Sequence, residues 1–420
     1  MLNIKEEIKT VINISLIPNL KNGKIRLNSD QLKQLEDDLW KSADTLRANS
    51  GLKSNEYATP ILGLIFLKFA DNKYRQYEAE ITREYEQNRD SRAARDVHEI
   101  AIEKCGFYLP SEARYDYLLN LPENADIPKI LKEAMQAIEK YVPFLQGTLP
   151  TDEYFAIGEN TGVLKRLLTN FSNIPSEAQG DLFGQIYEYF LSRFALAEGQ
   201  GGGEFFTPRS VVRLMVEIIE PHKGRVFDPA CGSGGMFVQS ARFIEERRRH
   251  GGVDTVDDLF VCGQEKTLET VKLAKMNLAV NGLRGEIKQA NSYSSDAFDS
   301  FGNFDYVLAN PPFNVDEVDV ESVINDRRFT TYGIPRNKTK SSGKSLSNKS
   351  LYGQSDTKSN SSETVPNANY LWIGLFATSL KDKGRAALVM ANSASDAQHT
   401  EADIRRRLIE ADLIYGMLTT

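Results

Sequence analysis

The sequence predicts an α/β protein in two parts: an N-terminal helical bundle over residues 1–160, then an α/β domain over 161–420 with a mixed, mostly parallel sheet. Three observations carry that expectation. Apolar residues recur at three- and four-residue steps through the first third. From about Thr161, short β-rich segments alternate with helical ones, and the first of them ends in a glycine-rich turn.

In QLKQLEDDLWKSADTLRA, Leu32, Leu35, Leu39, Ala43 and Leu46 share one helical face. The apolar run Pro60 to Ala70 follows, then a highly charged helix through YRQYEAEITREYEQNRDSRAAR. A further amphipathic stretch is IPKILKEAMQAIEKY. The apolar run is shorter than the ~20 residues a bilayer requires, so it reads as a buried helix. Nothing in this part carries chemistry.

The expected strands are RVFD (225–228), LFVCGQE (259–265), EIKQA (286–290), FDYVLAN (304–310) and RAALVMA (385–391). Helical patterns separate them, as in MFVQSARFIEERRRH and TLETVKLAKMNLAVN. Such alternation means βαβ units and a sheet covered on both faces. The stretch Arg336–Glu363 is rich in Ser, Lys and Asn and nearly free of apolar side chains, so it is expected to be a mobile insert. Its local basic charge suits either a solvated loop or a DNA contact.

Composition excludes several classes. With 41% hydrophobic and 26% charged residues, the chain is neither fibrous nor globally disordered. Cys105, Cys231 and Cys262 are odd in number and scattered, which argues against a disulfide framework and for a reducing cytoplasm. The N-terminus lacks a basic region, apolar core and cleavage site, so no secretory signal is expected. No metal site is expected either. The net charge of -7 argues against tight independent DNA binding, which rests on phosphate neutralisation by Lys and Arg.

Three motifs fall on the α/β half. VFDPACGSGGMF closes the first strand at Asp228, turns through Gly232, Gly234 and Gly235, and opens a helix. Ligands of open α/β sheets bind at strand carboxyl ends, where glycines let the backbone approach them. Asp228 can accept from an ammonium group there, although a turn made for packing alone would look the same. A dinucleotide site fits less well, because Phe237 stands where that fingerprint requires Gly or Ala. Glu265 ends the second strand, where a carboxylate can take both ribose hydroxyls of a nucleoside or simply face solvent. Asn291, after the third strand, is placed to read an adenine edge or to make a turn.

The sharpest motif is Asn310-Pro311-Pro312-Phe313, directly after FDYVLA. An exocyclic aromatic amine is a poor nucleophile, since its lone pair is delocalised into the ring. The Asn310 side-chain oxygen and the Pro311 carbonyl can accept its two N–H hydrogens, freeing the lone pair to attack a methylsulfonium. Consecutive prolines preorganise these acceptors, and Phe313 offers a face for an extruded base.

With these residues in hand, the chain resembles the methylation subunits of type I restriction-modification systems, which are SAM-dependent N6-adenine DNA methyltransferases with a Rossmann-like catalytic domain. The resemblance runs through LWKSADTLRANSGLKSNEYATPILGLIFLKFAD, DLFGQIYEYFLSRFA, GGGEFFTPRSVVRLMVEII and NANYLWIGLFATSLKDKGRAALVMANSASDA. It implies that Glu204, Phe205, Phe206, Thr207, Pro208 and Arg209 help to hold SAM. Thr207 is the expected N-cap, with Pro208 at the first helical position, so that the helix start holds the methionine carboxylate. It further implies that Asp228, Ser233, Gly234 and Gly235 line the methionine end, Glu265 takes the ribose, and Asn291 faces the adenine ring. Asn310, Pro311, Pro312 and Phe313 would bind the target adenine. Members act with a specificity subunit that reads DNA and a restriction subunit that cuts it, which suits an acidic chain. Members also continue past DLIYGMLTT, so a shortened C-terminus is expected. The motif chemistry alone leaves open N4-cytosine or protein amide methylation, or a non-catalytic partner-binding remnant.

Overall fold

The computed structural model describes residues 29–48, 54–90, 94–157, 161–175, 180–197, 207–249, 259–336 and 363–419. The glycine run 199–203 lies outside them, as do Glu204, Phe205, Phe206 and all but the ends of the 336–363 insert. Contacts group the chain into two units. One takes Met1–Val142 with Pro150–Phe190, and the other takes Pro143–Leu149 with Leu191–Thr420. The boundary expected at 160 therefore falls inside the first unit. Helix α7 (Thr161–Phe171) packs there on α1 (Ser29–Ala48) and α2 (Ser54–Asn88), as well as on α4 (Tyr115–Leu119) and α5 (Ile127–Glu139).

The first unit has no strand among its described residues; its regular elements are helices. Its spine is α2, where the apolar run and the charged stretch form one helix of 35 residues rather than two. No residue between them breaks the backbone pattern: the change is from a buried half to a solvated half. Ile61, Leu62, Leu64, Ile65, Phe66 and Leu67 are fully buried, each worth about 1.5–3 kcal/mol of apolar transfer. At the junction, buried Asp71 accepts from Arg75 Nε at 2.6 Å, Arg114 Nε at 3.0 Å and the Tyr115 backbone N–H at 3.2 Å. Paired in this way, the carboxylate ties α2 to the start of α4, after α3 (Val97–Cys105). Helix α6 (Glu153–Ile157) completes the packing around α2 and α5.

The second unit follows α8 (Gly180–Ala197), which crosses from one unit into the other. Its described strands are β1 (Gly224–Asp228), β2 (Leu259–Glu265), β3 (Gly285–Gln289), β4 (Phe304–Ala309) and β5 (Leu380–Leu388). They lie in the order β3-β2-β1-β4-β5, and all four pairings are parallel. Side chains alternate across the sheet as strand geometry requires. Val226, Val261 and Tyr306 face one core with α9 (Arg209–Ile219), α10 (Gly235–Arg249) and α11 (Leu268–Val280). Phe227, Cys262 and Val307 face the other, which includes Leu371, Trp372, Leu375 and Phe376 of α14 (Asn369–Ser379). Two short helices, α12 (Val320–Val323) and α13 (Arg327–Thr330), lie on that second side, and α15 (Thr400–Glu410) follows β5.

At the amino ends of the strands, Asp305 of β4 accepts the Arg225 backbone N–H at 2.8 Å and pairs with Lys381 Nζ at 2.8 Å. One carboxylate thus connects β1, β4 and β5. At the other end the chain runs outward from β1 to β2 and β3, then returns to β4 on the far side of β1. That reversal places a topological switch point between the carboxyl ends of β1 and β4, the position where open α/β sheets bind ligands. No described helix is long and apolar enough to cross a membrane.

Candidate active site

Asp228 closes β1 and is 1% exposed. Its Oδ1 accepts the Ala230 N–H at 2.9 Å, which folds the chain back into the glycine turn. Burial pushes its carboxyl well above the ordinary range; the Ala230 N–H opposes that, and the neighbouring Glu265 adds to it. A cation placed here would reverse the balance, because attraction favours the ionised form.

The turn is fastened from the neighbouring strand. Cys231 donates its N–H to the Gln264 carbonyl at 2.9 Å, and Gly232 donates to Glu265 Oε2 at 3.2 Å. Asn277 of α11, fully buried, donates from Nδ2 to the Ser233 carbonyl at 2.8 Å. Gly234 sits at φ +83°, a conformation that favours glycine, and a Cβ there would crowd Leu278 Cδ1 at 3.2 Å. A Cβ at Gly232 or Gly235 would meet nothing within 4 Å. The turn is therefore tight where it meets α11 and open at those two glycines.

Glu265, at the end of β2, also accepts the Thr267 N–H on Oε1 at 2.9 Å. Each carboxylate oxygen has more than one acceptor site, so capacity for two further donors remains. Asn291 is exposed after β3, and its Oδ1 accepts the Tyr293 N–H at 3.1 Å. It is a turn residue beside the site, joined to Glu265 through the Ala290 N–H at 2.9 Å.

Asn310 follows β4 across the switch point from Asp228. Its Nδ2 donates to Thr207 Oγ1 at 3.0 Å, while its Oδ1 is buried and accepts nothing among the described residues. A buried carbonyl oxygen without a donor costs about 1–3 kcal/mol, a deficit that a ligand N–H would remove. Pro311 is buried, Pro312 exposed and Phe313 half-buried.

Thr207 does not cap the helix as expected. Pro208 is the N-cap of α9, its carbonyl accepting from Val211 and Val212, and Arg209 is the first helical residue. The fixed ring geometry of Pro208 suits the extended cap conformation, and this leaves the Thr207 hydroxyl for Asn310.

The structure thus joins Asp228, Ser233, Gly234, Gly235, Glu265 and Asn291 around the ends of β1, β2 and β3, and joins Thr207 to Asn310 beside β4. Sequence reasoning missed two supports. Gln264, fully buried, donates to Ser292 Oγ at 2.8 Å and accepts the Ala297 N–H at 2.8 Å, fixing the loop after β3. A glutamine inside an otherwise apolar strand was a readable signal. Asn314 and Asn369 hold the loop after Phe313, and no local pattern announces a pair 55 residues apart.

An acidic residue ending β1 and another ending β2, a glycine turn between them and a topological switch point between β1 and β4 define a SAM-dependent methyltransferase fold. Within that class, the chain belongs to the N-6 DNA methylase family, whose model matches residues 178–343 and 342–420. Residues 35–171 match the HsdM N-terminal domain. Among curated relatives, the type I restriction enzyme MjaIX methylase subunit of Methanocaldococcus jannaschii is 33% identical over 398 residues, covering 92% of this chain and 66% of its own. The HindI methylase subunit of Haemophilus influenzae is 33% identical over 338 residues, covering 77% of this chain and again 66% of its own. The chain thus spans 66% of the length of each. A type I restriction-modification methyltransferase subunit from Streptococcus thermophilus shares the fold with a TM-score of 0.69 at 20% identity, over 90% of this chain and 79% of that one.

Proposed function

We propose that this chain is the modification subunit of a type I restriction-modification system, which methylates the N6 amino group of a flipped adenine in DNA. Sequence recognition would come from a specificity subunit, and cleavage from a restriction subunit. The observation that carries the reading is Asn310 Oδ1, buried and without a partner among the described residues, with its amide nitrogen on Thr207, and set across the switch point from Asp228.

The residues present fit SAM. The buried Asp228 carboxylate suits the methionine ammonium, and the open side of the turn at Gly232 and Gly235 leaves room for the methionine end beside Ser233 and Gly234. Glu265 keeps acceptor capacity for the ribose hydroxyls, and Asn291 stands where the adenine ring would lie. The N–H groups of Arg209 and Ser210 at the start of α9 suit the carboxylate, with Glu204, Phe205 and Phe206 just before them. Bound SAM supplies an electrophilic methyl group on its sulfonium.

The remaining work falls to the chain. Asn310 Oδ1 and the Pro311 carbonyl accept the two N–H hydrogens of the target amine, drawing its nitrogen towards tetrahedral geometry. Pro311 and Pro312 hold those acceptors still, so little reorganisation accompanies attack. Phe313 stacks on the extruded base, offsetting part of the unstacking cost.

The test is transfer of tritiated methyl from SAM to duplex DNA, with and without the specificity subunit, followed by product analysis. N6-methyladenine formed only with that subunit supports the proposal. N4-methylcytosine, a methylated protein amide, or SAM binding without any transfer overturns it.

A further inference from the structure

Asn314 is held at φ +55°, in the left-handed region that Asn, Asp and Gly enter at least cost. Its Oδ1 accepts three hydrogen bonds: from Asn369 Nδ2 at 3.0 Å, Asn367 Nδ2 at 3.1 Å and Ser393 Oγ at 3.1 Å. Its own N–H donates to Asn369 Oδ1 at 2.9 Å, which makes the Asn314–Asn369 pair reciprocal. Asn369 is 1% exposed at the first position of α14, and its N–H donates to Asn367 Oδ1 at 2.8 Å. Just before it in the chain, the Ala368 N–H donates to the Val315 carbonyl at 2.8 Å.

One side-chain oxygen therefore gathers the loop after β4, the start of α14 and the turn after β5. The near end of the Asn310–Phe313 loop is fixed as well, where the Val389 N–H donates to the Ala309 carbonyl at 3.1 Å. Between these anchors, Pro311 and Pro312 have φ set by their rings. Freedom remains mainly at Phe313, and the amide cluster begins at the next residue.

We propose that Asn314 and Asn369 are positioning residues for methyl transfer, which clamp the far end of the loop so that Asn310 Oδ1, the Pro311 carbonyl and Phe313 meet the target base in register. The proposal rests on the functional reading above. Neither amide touches a reacting atom; they act through the loop. A misplacement of about 1 Å at such a site costs roughly a hundredfold in rate.

The test uses the chain with its specificity subunit and the variants Asn314→Gly and Asn314→Asp. Glycine keeps the positive φ and removes the acceptor. Aspartate keeps both, and the Nδ2 that it replaces makes no hydrogen bond among the described residues. Turnover and KM for duplex DNA, SAM affinity, and hydrogen exchange over residues 310–316 are measured together. The expected result is a fall in kcat of about tenfold or more for Asn314→Gly. Its SAM affinity should stay within about twofold, with faster exchange confined to 310–316, and Asn314→Asp should recover most of the turnover. Wild-type kcat in Asn314→Gly overturns the proposal, as does equal damage in both variants, or a loss of SAM affinity in step with kcat. Wild-type complex that methylates no DNA overturns the functional reading and the positioning role with it. The exchange data then still report whether the clamp holds the loop.

Discussion

Asn310 Nδ2 donates to Thr207 Oγ1 at 3.0 Å across 103 residues of sequence, and in that arrangement Oδ1 is the end of the amide left without a partner among the described residues. With the NH2 group held by Thr207, the oxygen is presented. Thr207→Val keeps the side-chain shape and removes the acceptor, so the amide can turn over and present a donor where an acceptor is needed. A hydrogen bond of this kind is worth about 1 kcal/mol net, so single-turnover methyl transfer is expected to slow about fivefold in Thr207→Val and little in Thr207→Ser. Equal rates in the two variants would separate Thr207 from the orientation of Asn310.

Asn310→Ala removes the acceptor itself. Loss of one preorganised group at a reacting atom costs roughly 10²–10³ in rate, and no less is expected here. SAM affinity by calorimetry is expected to stay near wild type. A variant that kept half its activity would remove Asn310 from the chemistry.

Asp228 makes a prediction in pH. Burial raises its folded-state pKa well above the ordinary carboxylate value, so the ligand-free protein holds a proton there that the unfolded chain releases. Stability from this group is full below the unfolded pKa and is lost as pH rises through the folded one. Asp228→Asn is expected to flatten that loss in melting temperature across the window while weakening SAM binding. A charge-assisted hydrogen bond is worth about 1.5–3 kcal/mol, or roughly one to two decades of affinity. Binding by wild type is expected to release protons, seen as a dependence of calorimetric heat on buffer ionisation enthalpy. Unchanged affinity in Asp228→Asn would refute the ammonium assignment.

Gln264→Leu leaves the Ala297 N–H without its acceptor in a part-buried place and Ser292 without a donor. Such deficits cost about 1–3 kcal/mol, so urea titration is expected to show a loss of that size. SAM affinity should fall with it, since the released loop begins at Asn291. Wild-type stability would show that the loop is held by something else.

Sequence reading reached the sheet more securely than the site. LFVCGQE was legible as a strand over 259–265 because a short, mostly apolar run lies between two helical patterns, and the observed β2 has the same limits. The division of α2 into two helices was misread because a change from apolar to charged composition marks a change of surroundings, with no Gly or Pro to end the backbone pattern at that point. The positions of Asp228, Glu265 and Asn310 at strand ends were legible because strand ends can be located from sequence. Asn314 and Asn369 were not, and Thr207 was read as an N-cap rather than as the partner of Asn310: each acts through a partner set by tertiary packing, and local periodicity carries no trace of such pairs.

Asp305 is the second residue of β4, at the amino edge of the sheet and the end away from Asn310, yet it fixes β4 against β1 and β5 together. Parallel strands hold their ends at matching heights only while their register holds, and one step of slippage displaces a strand by about 3.3 Å and turns its side chains to the opposite face. The sheet works as a caliper: the gap between Asp228 and Asn310 at one tip is set by a fastening at the other. Inherited or engineered changes near Arg225, Asp305 or Lys381 can therefore silence the protein while leaving every residue of the crevice intact. A search for inactive variants confined to the crevice would miss them.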